Sequence, residues 1–297
     1  MQKTPALAWA MLILLSLIWG SSFILIKKGL VALSPQEVGS LRIVSASICL
    51  IPFALLRLRK VPKSTIIPLL AAGFLGSLIP SFLFAIAQTR LESAITGVIN
   101  SLVPIFTILI AFLLFGQRQT KTVFAGIVLG FLGTAILITA GDGGAIVGIN
   151  VYALLVVLAT VCYAANLNLI KAKLNDLPPL TVTSISLLLV GPIAMVYLFG
   201  FTGFVDKFGA VDGIGLATFY ISLLGVLGTA IALIIFNRIL QMTDPLFASS
   251  VTYLIPPVAV VWGLIDGESI YFIQYLGMAA VGVGVYTANR NRAAHKK

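Results

Sequence analysis

The side chains in this sequence that carry polar chemistry inside long apolar stretches are few and of a narrow kind. Arg42, Gln88, Asn100, Ser101, Asn166, Asn168, Asn237, Ser249 and Ser250 fall within such stretches. Amides and hydroxyls donate and accept hydrogen bonds but carry no charge and release no proton at neutral pH. Groups of this type hold a polar solute in place; they do not activate water. Arg42 is the one formal charge well inside a run. A planar guanidinium suits a carboxylate or phosphate. Two other readings of Arg42 stay open: a head group that snorkels towards water, or an ion pair with Glu37 or Glu92. The amides and hydroxyls serve equally well as bonds to a neighbouring helix.

Catalytic patterns are missing. There is no H-E-x-x-H and no G-x-S-x-G, and the one histidine, His295, lies in the C-terminal tail. Cys49 and Cys162 both sit in apolar runs, which speaks against a disulfide framework. All nine carboxylates fall at or near the ends of the runs. No catalytic residue, metal site or cofactor is expected, and the chain reads as a protein that is not an enzyme. A proton-coupled carrier places a titratable acid or His within the membrane. Facilitated efflux or exchange is therefore favoured over proton symport. A channel would show a continuous polar stripe or a ring of charge, and neither is present.

The elements that must position these residues follow from composition. Of 297 residues, 60% are hydrophobic and only 9% charged, and mean hydropathy is +1.11. Soluble domains carry about 25% charged residues, so lipid is the solvent of this chain. Breaking the sequence at every charge leaves the runs 4–26, 64–89, 93–117, 122–141, 143–170, 177–205, 213–237, 245–265 and 269–289, with 38–56 as a tenth interrupted by Arg42. About twenty apolar residues cross the hydrocarbon core as a helix. Barrel strands would need about ten alternating residues, and these runs do not alternate. The expected fold is all-α and integral to the membrane, with ten transmembrane helices. The first run is longer than a signal-peptide core and ends in Trp19-Gly20-Ser21-Ser22-Phe23, a poor cleavage site, so it reads as a retained helix.

The net charge of +10 follows from this architecture rather than from nucleic-acid binding. With the N-terminus in the cytoplasm, fourteen basic residues of the connections and termini fall on that side and four, Lys27, Lys28, Arg90 and Lys207, on the other. Both termini are thus expected inside, in the inner (plasma) membrane of a bacterial cell.

The chain also reads as written twice, over 1–141 and 142–297. Pairs 144 residues apart include Trp19/Tyr163, Ile26/Ile170, Lys27/Lys171 and Pro35/Pro179. Leu75-Gly76 matches Leu224-Gly225, and Leu102-Val103-Pro104 matches Leu254-Ile255-Pro256. Gly116, Gly126 and Gly133 match Gly267, Gly277 and Gly284. Five helices per half is an odd number, so the second half must cross in the opposite sense. Inverted repeats of this kind place a solute site at mid-membrane, where the halves meet.

Trp19-Gly-Ser-Ser-Phe23, Pro35 with Arg42, Pro104 ahead of Gly116, and Tyr253-Leu-Ile-Pro256 with Gly267-Glu268 together resemble the EamA-type branch of the drug/metabolite transporter superfamily, over essentially the whole chain. The resemblance implies ten helices in two inverted five-helix repeats and export or exchange of amino acids, other metabolites, nucleotide-type solutes or drugs. The family often carries Glu after the glycine that ends the fourth helix of each repeat; here Glu268 keeps it and Gln117 does not.

Run midpoints bring Trp19, Pro104, Tyr163, Tyr253 and Pro256 to one depth. The matched prolines are expected to kink their helices beside a central cavity. Candidate solute contacts are Trp19, Arg42, Gln88, Asn100, Tyr163, Asn166, Asn237 and Tyr253, with Pro104 and Pro256 as kinks or gates. The expected partners are a small-molecule solute and the lipid bilayer, not nucleic acid. Gly126, Gly130 and Gly133 line one face of their helix, with Gly277 and Gly284 at matching positions. This small-residue face suits internal packing, or a homodimer contact in place of a monomer.

Overall fold

The computed structural model describes residues 6–115, 120–140, 149–243, 248 and 251–290. The regular elements among these residues are all helices, joined by turns and loops, with no strand. We number ten helices: α1 Ala6–Gly29, α2 Pro35–Leu58, α3 Lys63–Ala87, α4 Ser93–Leu114, α5 Lys121–Thr139, α6 Val151–Leu174, α7 Pro179–Phe201, α8 Ile214–Leu240, α9 Val251–Ile265 and α10 Phe272–Ala288. The first eight are long and apolar enough to cross a membrane; α9 and α10 are apolar but shorter. A 24-residue helix extends about 36 Å against a hydrocarbon core of about 30 Å. Lys3, Gly116, Gln117, Arg118, Ser249, Ser250 and His295 lie outside the described residues.

Helix ends differ from the charge-free runs because charge alone does not stop a helix. α1 continues through Lys27 and Lys28 to Gly29. α2 starts at Pro35, three residues before its run, because Ser34 and Glu37 form a capping box. The Glu37 amide donates to Ser34 Oγ at 3.3 Å, and the Ser34 amide donates to Glu37 Oε2 at 2.7 Å. Pro35 at the first helical position costs nothing, since that N–H has no partner within the helix.

Several helices are irregular at mid-length. α1 breaks at Ser21, and α4 divides into Ser93–Asn100 and a second piece that opens at Val103, one residue before Pro104. Pro256, by contrast, lies within the unbroken Val251–Ile265, so the two matched prolines do not act alike. α3 and α8 each contain a π-helical stretch, Phe74–Leu78 and Leu224–Ile231, over the matched Leu-Gly pairs. A π turn widens the helix and frees carbonyls, and such turns cluster at functional sites.

α5 and α10 pack against each other so closely at their glycines that backbone meets backbone. A Cβ on Gly284 would collide with the Gly130 amide nitrogen and the Gly126 carbonyl. One on Gly133 would lie 2.6 Å from the Val281 amide nitrogen and 2.7 Å from the Gly277 carbonyl. The glycine face is thus covered from within the chain.

Candidate functional site

The helices enclose a cavity of about 1170 Å³, counting its open mouth. α1 contributes Trp19, Ser22, Phe23 and Ile26; α6 contributes Tyr163, Asn166, Leu167 and Ile170. Each residue of the second set stands 144 positions after its counterpart in the first. Arg42 of α2 and Ser186 of α7 also line the wall at that separation. Asn100 and Val103 come from α4, at its break, while Thr252 and Ile255 come from α9. The π stretches of α3 and α8 reach the wall through Gly76 and Ser77 on one side and Gly228 and Thr229 on the other, and a third, Ile170–Leu174 of α6, reaches it through Ile170.

Aromatic rings form much of this wall. The Trp19 indole N–H donates to the Gly228 carbonyl at 3.0 Å, an acceptor in the widened turn of α8. Its ring lies 5.3 Å from that of Phe236. Phe84 stacks on Tyr163 at 6.0 Å and meets Phe23 edge-on at 5.8 Å.

Arg42 is 9% exposed, and its guanidinium lies in the cavity wall. Its Nε donates to Thr229 Oγ1 at 2.9 Å, and the Tyr163 hydroxyl stands beside it. The expectation that it pairs with Glu37 or Glu92 is corrected, because both acids are engaged by lysines. Lys207 Nζ sits 2.6 Å from Glu37, and Lys27 Nζ 3.4 Å from Glu92. Snorkelling is corrected too, since the head group turns into the bundle rather than out of it.

Of the eight candidate contacts, Trp19, Arg42, Asn100, Tyr163, Asn166 and Asn237 all line the cavity. Gln88 and Tyr253 do not. Gln88 Nε2 donates to the Phe23 carbonyl at 2.8 Å, tying α3 to α1. The Tyr253 hydroxyl donates to the Val285 carbonyl of α10 at 3.1 Å. Asn237 Nδ2 donates to Thr183 Oγ1 at 3.0 Å, across to α7. Asn168 bonds the Thr107 and Ala164 carbonyls, and Ser101 the Val98 carbonyl, so these two act between and within helices. Pro104 and Pro256 stand one residue beyond the wall residues Val103 and Ile255. Sequence reading passed over Thr229, Thr183 and Ser186, although the 144-residue offset, applied to Arg42, leads straight to Ser186.

The ion pairs among the described residues gather at one end of the bundle, where α1 and α9 end and α2 and α4 begin. Lys27 Nζ lies 2.9 Å from Asp266 and 2.9 Å from Glu268, and Lys28 also pairs with Asp266. Glu268 in turn caps α4. It accepts from the Ser93 amide at 2.9 Å, the Ser93 hydroxyl at 2.5 Å and the Ala94 amide at 3.1 Å. A carboxylate at a helix start meets both unpaired N–H groups and the positive end of the dipole. The second link, Lys207 to Glu37, stands at this same end.

Two ammoniums face three carboxylates in the larger cluster, so the acids do not titrate alike. Burial and the neighbouring Glu268 push the Glu92 carboxyl above its ordinary range. The lysine ammoniums hold Asp266 below it. Burial alone would raise Glu268, but the Ser93 hydroxyl, Lys27 and the α4 amides outweigh it and bring the carboxyl down. A lowered carboxyl stabilises the ion-paired end fully above its unfolded pKa and loses that effect as pH falls through the folded one. The raised Glu92 takes a proton first, which relieves its repulsion from Glu268. For a cysteine placed at Ser22, labelling through this end, taken at each pH relative to a cysteine at the exposed Val31 so that the thiolate fraction cancels, is therefore expected to stay unchanged from pH 7 to pH 5 and to rise only below about pH 4. A rise between pH 7 and 5 would contradict this ordering.

Together these features define a multi-pass helical membrane protein with a solute-sized chamber inside the bundle. The chain belongs to the EamA-like transporter family, whose sequence profile matches residues 6–139 and again 150–290. An inner membrane transporter of Escherichia coli K12, YedA, is 27% identical over 274 residues, covering 90% of this chain and 85% of that protein. A transporter of Archaeoglobus fulgidus is 25% identical over 286 residues, 96% of this chain and 99% of its own length. A solved crystal structure shares the fold with a TM-score of 0.66 at 17% identity, over 99% of this chain and all of the other.

Proposed function

We propose that this protein moves a small polar metabolite, of amino-acid type, across a bacterial inner membrane by alternating access at the central cavity, as an efflux or exchange carrier. The observation that carries this reading is the wall itself, built from residues 144 positions apart in the two halves of the chain. Such a wall is expected of two inverted five-helix repeats, 1–141 and 142–297, whose ten spans meet around one mid-membrane site. The double match of the family profile supports the same division.

The charge distribution supports cytoplasmic termini, which puts the ion-paired end of the bundle outside. In this reading the structure is the state closed to the outside. The cavity wall runs down to Ile170, Val182 and Asn237, within about one turn of the inner ends of α6, α7 and α8. The aromatic wall shields the non-polar part of a solute, and the amides and Arg42 hold its polar part.

Liposomes containing the protein and preloaded with a mixed metabolite pool test this. Selective, saturable loss of amino acids beyond that from empty liposomes is the expected result. Absence of any selective loss, with the protein verified as folded, would overturn it.

A further inference from the structure

We infer that the cavity carries an anion subsite on Arg42 and selects solutes with a single carboxylate, an inference that rests on the transporter reading above. Arg42 is nine-tenths buried, and among the described residues no carboxylate lies within ion-pair distance of it. Arginine stays protonated in proteins. A buried, fully charged group is normally paired, because its desolvation is costly. Here the Thr229 hydroxyl takes Nε, which fixes the plane of the guanidinium. The two terminal nitrogens then form the fork that matches a carboxylate edge-on. Tyr163 stands beside this fork and supplies one further hydroxyl.

A second observation points to a ligand at the same wall. Asn100 Oδ1, Asn166 Oδ1 and Ser186 Oγ are buried and have no hydrogen-bond partner, and all three residues line the cavity. Buried polar atoms are rarely left unpaired. The two amide oxygens accept hydrogen bonds, so they suit the ammonium or hydroxyl donors of a solute whose anionic end lies on Arg42. Arg42, the one charged residue among the described residues of the wall, disfavours organic cations. It also falls one charge short of a phosphate dianion, which selects the monoanion.

The test compares L-amino acids with their carboxamides, which keep the ammonium and lose the carboxylate. Each is measured for stabilisation of the purified full chain on heating and for competition with efflux from proteoliposomes. The carboxylates are expected to act at concentrations about tenfold to a hundredfold lower than the carboxamides, as a charge-assisted bidentate contact implies. R42Q should erase that difference, and R42K should keep part of it. Equal action of acids and carboxamides, or an unchanged preference in R42Q, overturns the subsite. Flux without carboxylate preference overturns the subsite and leaves the transporter reading standing. Carboxylate-dependent stabilisation without flux does the reverse, and absence of both overturns both. Where the Arg42 variants fail to fold, the comparison on the unaltered protein still decides.

Discussion

Glu268→Gln is expected to open the ion-paired end of the bundle, so that a cysteine placed at Ser22 in a chain without Cys49 and Cys162 reacts with a membrane-impermeant thiol reagent at least about tenfold faster. The size follows from what Glu268 does. One carboxylate serves the Lys27 ammonium, the Ser93 hydroxyl and the Ser93 and Ala94 amides. Hydrogen bonds to charged groups contribute about 1.5–3 kcal/mol each. A neutral amide keeps the shape, but it weakens every one of these contacts and leaves Lys27 with Asp266 and the more exposed Glu92. The links join elements from the two halves of the chain, α1 and α4 on one side and the α9–α10 connection on the other. On the alternating-access reading proposed above, loosening them biases the equilibrium between closed and open ends, since a packed bundle has discrete alternatives rather than a continuum. Lys207→Ala, which releases Glu37, should add to the effect, because its contact lies between different elements. Labelling of the Glu268→Gln protein at the unaltered rate would show that these ion pairs do not close the bundle.

Gly284→Leu is expected to lose the folded protein altogether or to lower its melting temperature in detergent steeply. Lipid tails are as apolar as the side chains they replace, so helix association in a membrane depends on close packing. At this seam the backbones of α5 and α10 themselves are in contact. The atoms nearest a Cβ on Gly284 are the Gly130 amide nitrogen and α-carbon and the Gly126 carbonyl oxygen, none of which can rotate away. Overpacking commonly costs about 1–3 kcal/mol where side chains can adjust, and here they cannot. Gly282→Leu, two residues away where a Cβ meets open space, is the matched control and should melt like the unaltered chain. A Gly284→Leu protein with an unchanged melt would mean that α5 and α10 separate without cost.

The helices were legible because lipid leaves so few choices. Runs of twenty apolar residues, punctuated by Lys and Arg, admit helices and little else. Their ends were less legible: α2 begins at Pro35 because Ser34 and Glu37 cap it, a local bond that a count of charges does not see. Six of eight candidate contacts lie on one wall, and they are residues whose polarity is conspicuous in an apolar stretch. Gln88 and Tyr253 were equally conspicuous, yet their polar ends bond the Phe23 and Val285 carbonyls. Type and depth do not reveal which way a helix is turned.

By itself, then, the sequence determined the solvent and the helical elements, because both follow from the cost of leaving polar atoms in hydrocarbon. Only the tertiary structure decided the pairings. Arg42 sits with Thr229 rather than with Glu37 or Glu92, and Glu268 reaches back to cap α4. The glycines of α5 meet those of α10. These are contacts between residues 144 to 187 positions apart, and they depend on rotation and tilt that emerge only when all the helices pack at once.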